Sequence, residues 1–341
     1  MDLKTKITKI HYDKNSKGLI YHLLGFCSLF YGFGSRIKNI MYDLGVSKAY
    51  SVDAKVISVG NLTTGGVGKT PVVAQIAKYY IAKGEKVCIL SRGYGGKLSN
   101  KQVNVISDGI NLFYNAEMAG DEPYWLAVNL DGCAVLTCKD RVKSANYAIK
   151  ELGVTKIILD DGFQHRKLNR DINVLLIDSE KMFGNERLLP QGPLREGLEG
   201  FSRVDKILVV SKNVEHSRAE KYAKILSKKL KKPAFVCKTE PEYVYNIKSG
   251  EHLEKGSKVI ALSAIGQPEQ FYKFVEKDFE IIETVTFDDH HCYSCDEIKD
   301  IAGSIVTTEK DAVKLAQFDC DNIYAMKLKT EFDVEALLED E

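Results

Sequence analysis

The chain has 341 residues, of which 44% are hydrophobic and 28% charged, a globular composition that excludes disorder as the default. Its 48 basic and 47 acidic residues leave a net charge of +1, which argues against broad electrostatic binding to nucleic acid and leaves room only for a local basic patch. The length suffices for two cores. Eight cysteines without a secreted-type framework, and no cleavable signal at the start, point to reduced thiols in the cytosol.

The first distinctive element is LIYHLLGFCSLFYGFG (19–34), apolar almost all round and shorter than the ~20 residues of a spanning helix. Lys4, Lys6, Lys9, Lys14 and Lys17 precede it, and Arg36 and Lys38 follow. Two readings stand: a helix buried against the core, or one lying in a membrane interface, held by apolar burial and attraction to anionic lipid. AKVISVGN (54–61) then reads as a buried strand, followed by a glycine loop and a helix over 69–82. EKVCILSRGYGG repeats the strand-then-glycine design, and GCAVLTC, TKIILDDG, INVLLIDS and DKILVVSK read as further strands with helical segments between several of them. This alternation predicts a parallel sheet covered on both faces. A lysine-rich helix over 217–232 ends at Pro233, and a second series follows: SKVIALSAIG, a helix from about Pro268, IIETVTF, CDEIKDIAG, SIVTTEKD and NIYAMKLK. The expected organisation is an interface segment (1–48) belonging to the first domain, a core (49–232), and a smaller α/β domain with linker strands (233–341), the boundary falling near 230–245.

GNLTTGGVGKTP (60–71) carries the first chemistry. Gly68-Lys69-Thr70 ends it like a phosphate loop, but Thr63 stands where G-x-x-x-x-G-K-[ST] asks for glycine. The strand-loop-helix context supports the phosphate reading nonetheless. Gly65, Gly66 and Gly68 let amides approach phosphate oxygens, the helix N-terminus adds its dipole, Lys69 reaches the β/γ-phosphates and Thr70 ligates magnesium. Thr64, Val67 and Pro71 complete the nucleotide-binding stretch. Asp160 and Asp161 end an apolar strand where a metal-binding carboxylate is expected, although an Asp-Gly pair also favours turns. In GDEP, Asp121 reads equally as the N-cap of a helix with Pro123 in its first turn, or as a base for an acceptor hydroxyl. SRGYGG (91–96) and RLLPQGPLREGL (187–198) offer Arg92, Arg187 and Arg195 to a phosphate or an anionic substrate. His290, His291, Cys292 and Cys295 resemble zinc ligands, but no second close pair stands at a suitable spacing, so zinc is disfavoured.

Taken together and in order, GNLTTGGVGKTP, SRGYGG, GDEP, DDGFQHR, LLPQGPLREGL, FDDHHCYS and TTEKDAVK resemble the tetraacyldisaccharide 4'-kinase family of lipid A biosynthesis, from the apolar segment to about residue 330. That family's loop tolerates a small hydroxyl residue at the Thr63 position. The resemblance implies a P-loop NTPase-like α/β fold with a smaller C-terminal α/β domain and an N-terminal membrane-associated helix. It implies transfer of the γ-phosphate of ATP, with Mg²⁺, to the 4'-hydroxyl of a tetraacyldisaccharide 1-phosphate, forming lipid IVA. The setting would be the cytoplasmic face of the inner membrane of a Gram-negative bacterium, peripheral or monotopic, with no obligate protein partner and no nucleic acid. Lys69 and Thr70 would hold phosphates and metal, Asp160, Asp161 and Glu122 the metal, and Asp121, paired with His290, would be the general base. His165 would lie near the phosphates, and Asn61, Arg92, Tyr94, Gly95, Arg187 and Arg195 are candidate substrate contacts. The resemblance also shifts the N-terminal segment toward the interfacial reading.

Two other classes are weighed against this. Partition-type or metal-chaperone ATPases share a G-G-x-G-K-T loop but commonly carry lysine where this chain has Thr64, and they leave the N-terminal helix unexplained. A nucleotide-gated membrane adaptor would bind ATP without transfer. A two-domain phosphotransferase is also expected to close around its nucleotide.

Overall fold

The computed structural model describes residues 3–212, 216–266, 268–289 and 291–339. Two helices open it, α1 (Leu3–Tyr12) and α2 (Leu19–Asp43). Strand β1 (Lys55–Gly60) runs through the glycine loop into α3 (Lys69–Ala82). Next come β2 (Val87–Ser91), β3 (Asn104–Asp108), α4 (Ala116–Ala119), α5 (Asp121–Asn129), β4 (Cys133–Thr137) and α6 (Arg141–Leu152). They are followed by β5 (Lys156–Asp160), β6 (Ile172–Asp178), β7 (Lys206–Ser211), α7 (Ser217–Leu230) and β8 (Ala234–Asn246). The last stretch holds β9 (Lys258–Ser263), α8 (Pro268–Val275), β10 (Glu280–Thr286), α9 (Cys295–Lys299), β11 (Ser304–Thr308), α10 (Glu309–Leu315), β12 (Ile323–Glu331) and α11 (Val334–Leu338).

All the strands join one sheet in the order β10-β9-β11-β12-β8-β7-β6-β1-β5-β2-β4-β3. The expected parallel pairing holds except at two seams: β3 runs antiparallel on β4, and β8, parallel to β7, is antiparallel to β12. Strands β2, β4, β6 and β7 are buried along their whole length because helices cover both faces. Successive residues therefore serve different cores. Ile158 packs with Val72 and Ile76 of α3, whereas its neighbours Ile157 and Leu159 pack with Ala145 and Ala148 of α6. Helix α6 is framed by Asp140, whose carboxylate accepts from Val142 N–H, and by Gly153 in the left-handed conformation (φ 66°).

The boundary expected near 230–245 falls on β8, which hydrogen-bonds to strands of both halves. The chain also crosses back: Leu337 and Leu338 of α11 are buried in the same core as Val72 and Ile76 of α3.

Helix α2 is longer than the 16-residue apolar run, and it is not the buried helix of the first reading. Gly25, Ser28, Gly32, Ser35 and Asn39 recur at three- and four-residue spacing and form the stripe toward the body. Ser28 Oγ donates to the Leu188 carbonyl (2.9 Å), and Asn39 Nδ2 to Glu196 Oε2 (3.0 Å). A Cβ on Gly32 would lie 2.7 Å from Leu188 Cδ1, so the helix sits close. The opposite side exposes Leu19 (76%), Phe26 (61%), Phe30 (66%) and Phe33 (69%). Among the described residues no helix is long and apolar enough to cross a membrane.

Candidate active site

The sheet order brings the chemistry together. β1 lies between β5 and β6, with Val59 in register with Asp160, so the glycine loop and the aspartate pair leave adjacent strand ends on the same side. A Cβ on Gly60 would come within 2.8 Å of Phe163 N, which shows how tightly the two turns pack. Gly65 (φ 103°) and Gly68 (φ 97°) take backbone conformations that a side chain would strain, and Gly68 N-caps α3, with Pro71 tolerated in the first turn. Thr63 needs no such freedom: its φ is not positive, and it bridges across to Leu194. Its carbonyl accepts from Asn61 Nδ2 (2.8 Å), and Thr64 N–H donates to the Pro193 carbonyl (2.8 Å). The LLPQGPLREGL segment thus braces the loop where the usual pattern has glycine.

Lys69 Nζ donates to Asn61 Oδ1 (3.2 Å) and lies 3.5 Å from Asp161 Oδ1. Asp161 has a left-handed backbone (φ 53°), and its other oxygen accepts from Arg195 Nη1 at 2.6 Å. Burial pushes its carboxyl upward, but Lys69 and Arg195 outweigh this and hold it below the usual range. Asp160 is buried, and Oδ1 has no hydrogen-bond partner. Burial, with the Glu122 and Asp161 carboxylates, raises it to about 7. A cation near that oxygen would relieve the arrangement. Among the described residues no three His, Cys, Asp or Glu side chains close on one metal position. Mg²⁺ takes one or two carboxylates and completes its shell with phosphate and water oxygens, a demand that Asp160 and Asp161 can meet.

A cleft of about 1840 Å³ runs over these strand ends, lined by residues 65–71, Asp160, Asp161, His165 and Arg195. Arg92 and Tyr94 reach it from the loop after β2, and Gly95 (φ 79°) shapes that loop. His165 is largely buried with Nε2 unpartnered, and burial together with the Arg141 charge lowers its pKa to about 4. Arg187 is exposed and lies away from the cleft lining, its carbonyl accepting from Leu194 N–H.

Asp121 is not an N-cap. Gly120 holds that place (φ 93°), because a Cβ there would lie 2.6 Å from the Tyr94 carbonyl oxygen, and Asp121 is the first helical residue of α5. SRGYGG and GDEP therefore pack on each other. Asp121 Oδ2 lies 3.5 Å from Lys314 Nζ, while Glu122 lines the cleft 3.7 Å from Lys310 Nζ. Both lysines come from α10, whose N-cap Thr308 accepts from Asp311 N–H. His290 lies outside the described residues. Beside it, Asp289 lines the cleft 3.7 Å from Lys310 Nζ, and His291 Nε2 sits 3.1 Å from Glu297 Oε1. Cys292 and Cys295 are exposed free thiols.

A family model described as tetraacyldisaccharide-1-P 4'-kinase (LpxK) matches residues 20–340. The chain belongs to this family. A tetraacyldisaccharide 4'-kinase from Halothermothrix orenii is 36% identical over 327 residues, covering 88% of this chain and 84% of the relative. One from Syntrophus aciditrophicus is 37% identical over 322 residues, covering 87% and 85%. The crystal structure of LpxK from Aquifex aeolicus in complex with ATP is similar with a TM-score of 0.78 at 34% identity, covering 94% of this chain and 97% of that one.

Within this 4'-kinase fold, several charged side chains at the site carried no expected role. TTEKDAVK is recognisable as a motif, yet that Lys310 and Lys314 meet Glu122 and Asp121 depends on α10 packing on α5, a long-range contact. Glu196, buried and in ion pair with Arg203 (2.6 Å), stands next to Arg195 in the same quoted motif.

Proposed function

We propose that the protein is a tetraacyldisaccharide 4'-kinase, transferring the γ-phosphate of ATP to the 4'-hydroxyl of a tetraacyldisaccharide 1-phosphate to give lipid IVA. The observation that carries this reading is one cleft that combines a glycine phosphate loop, an aspartate pair at the neighbouring strand end and Glu122 of GDEP, in a chain of this family. In the reaction the 4'-oxygen attacks the γ-phosphorus, the bond to the β–γ bridging oxygen breaks and ADP leaves. Phosphoryl transfer of this kind asks the protein mainly for positioning and charge stabilisation.

Lys69 and the amides of residues 65–70 bind the phosphates at the start of α3. Thr70, Asp160, Asp161 and Glu122 would hold Mg²⁺, which when bound neutralises phosphate charge. Arg195, fixed on Asp161, presents its remaining N–H groups to the cleft, and Arg92 and Tyr94 border the acceptor side. Asp121 accepts the hydroxyl proton, with His290 as its partner, and Lys314 Nζ lies 3.5 Å from its Oδ2. The exposed apolar side of α2 lies in the membrane interface at the cytoplasmic face of the inner membrane, where a multiply acylated acceptor is met. Closure around the nucleotide excludes water, and solution scattering with and without an ATP analogue would register it as a smaller radius of gyration.

The deciding assay incubates the protein with labelled ATP, Mg²⁺ and the tetraacyldisaccharide 1-phosphate in detergent. A 4'-phosphorylated lipid is expected. Folded protein that binds both ligands and makes none would overturn the reading.

A further inference from the structure

Strand β7 ends beside the glycine loop and delivers a lysine that the family motifs do not include. Lys212 Nζ donates to the Gly66 carbonyl at 2.5 Å. Its side chain is only 13% exposed, and a Cβ on Gly68 would lie 3.8 Å from Lys212 Cε, so the arm lies along the loop. Asp178, at the end of β6, stands 3.5 Å from the ammonium. Asp178 is itself fixed, its other oxygen accepting from Glu180 N–H (2.9 Å) and Lys181 N–H (3.1 Å). The lysine is thus a charged clamp with a rigid counter-ion, aimed at a backbone carbonyl.

Carbonyl and N–H point to opposite sides of a trans peptide. Gripping the Gly66 oxygen therefore turns the Val67 N–H away from Lys212. That N–H makes no hydrogen bond among the described residues, and Val67 lines the cleft. Phosphate loops bind through such N–H groups, and Gly66, with no Cβ, leaves its side of this peptide free to turn. We propose that Lys212 is a positioning residue for the known reaction, locking the Gly66–Val67 peptide in the orientation that presents the Val67 N–H to the phosphates of ATP. The proposal rests on reading the loop as the nucleotide site. It assigns a cost to a flipped loop rather than a contact to the substrate, so its signature is weaker nucleotide binding at unchanged affinity for the lipid.

The test compares wild type, K212M, K212R and the double variant K212M/D178N, each full length in detergent, by ATP binding calorimetry and by KM and kcat for both substrates. K212M is expected to raise the Kd and KM for ATP about tenfold, the loss of one charge-assisted hydrogen bond, while the KM for lipid stays within about twofold. K212R, which keeps a charged donor, is expected to recover ATP affinity to within about threefold of wild type. The double variant removes both charges of the pair and should remain as weak for ATP as K212M. It also carries the comparison where K212M alone, leaving Asp178 unpaired, does not fold. ATP affinity restored in K212M/D178N overturns the proposal, because Lys212 would then serve only to neutralise Asp178. Unchanged ATP affinity in K212M overturns it too. Wild-type protein that fails to bind ATP sinks the nucleotide reading itself, an outcome separate from the other two.

Discussion

Asp161 stands in a left-handed conformation that costs a non-glycine residue about 1–2 kcal/mol, and it is held there by Lys69 and Arg195. Strain retained where two cations converge marks the residue as placed for charge rather than for the turn alone. Its neighbour Asp160 is legible as a strand-end carboxylate, but its raised pKa depends on burial in the finished sheet and on Glu122 arriving from another element. Asp121 shows the limit of local reading: composition leaves cap and base equal, and the close approach of the Tyr94 carbonyl gives the capping place to Gly120. D121N is expected to lower turnover by about 10²–10⁴-fold while the Kd for ATP stays within about twofold, measured by single-turnover transfer and calorimetry. Equal loss of both would make Asp121 structural. His165 sets a pH dependence. Its folded pKa of about 4 lies below the ordinary 6.5, so the unfolded chain binds the extra proton first as pH falls. Its contribution to stability is complete above pH 6.5 and is lost progressively between 6.5 and about 4. Melting temperature should therefore fall less steeply through that window in H165Q than in wild type.

At the scale of elements, the helix at 69–82 was readable to the residue because Gly68, the first-turn Pro71 and the apolar pattern agree. β3 was not: Asn-Val-Ile-Ser-Asp alternates weakly, and only pairing with β4 makes it a strand. Helix α2 looked featureless because its signal is inverted. The periodic residues are the small and polar ones, and they face the protein, while the phenylalanines face outward. An outward face of this kind has nothing to lose from unfolding but much to gain from lipid. F26E/F30E should leave the melting temperature within about 2 °C, since both side chains are largely exposed, yet abolish flotation with vesicles containing anionic lipid. A large drop in melting temperature would indicate that α2 is held by the body through that face instead. Substituting Ser28 by leucine should do the reverse, because the site has no room beside Leu188 and Gln191.

At the scale of the molecule, the alternation of strands and helices was enough to predict layers but not their closure into one sheet. The join depends on β8, whose antiparallel register with β12 spans Lys238 to Asn246. No local pattern encodes that partner across some eighty residues of chain. Nor does it reveal that α11 returns to the core of α3, with Leu337 and Leu338 buried and Lys206 Nζ donating to the Glu339 carbonyl (3.0 Å). L337A should destabilise the protein by about 2–5 kcal/mol in urea titrations, and the loss should appear equally in probes of the nucleotide half. A transition confined to residues beyond 233 would mean that the two halves unfold independently.

The return of α11 also sets an order of events during synthesis. Leu337 and Leu338 leave the ribosome after all the strands of the sheet, and α2 emerges before any of them. The surface that faces outward is thus present from the beginning, whereas the hydrophobic floor beneath the phosphate loop stays unfinished until the last turns of chain appear. The face proposed to meet lipid is thus made long before the nucleotide site can be completed.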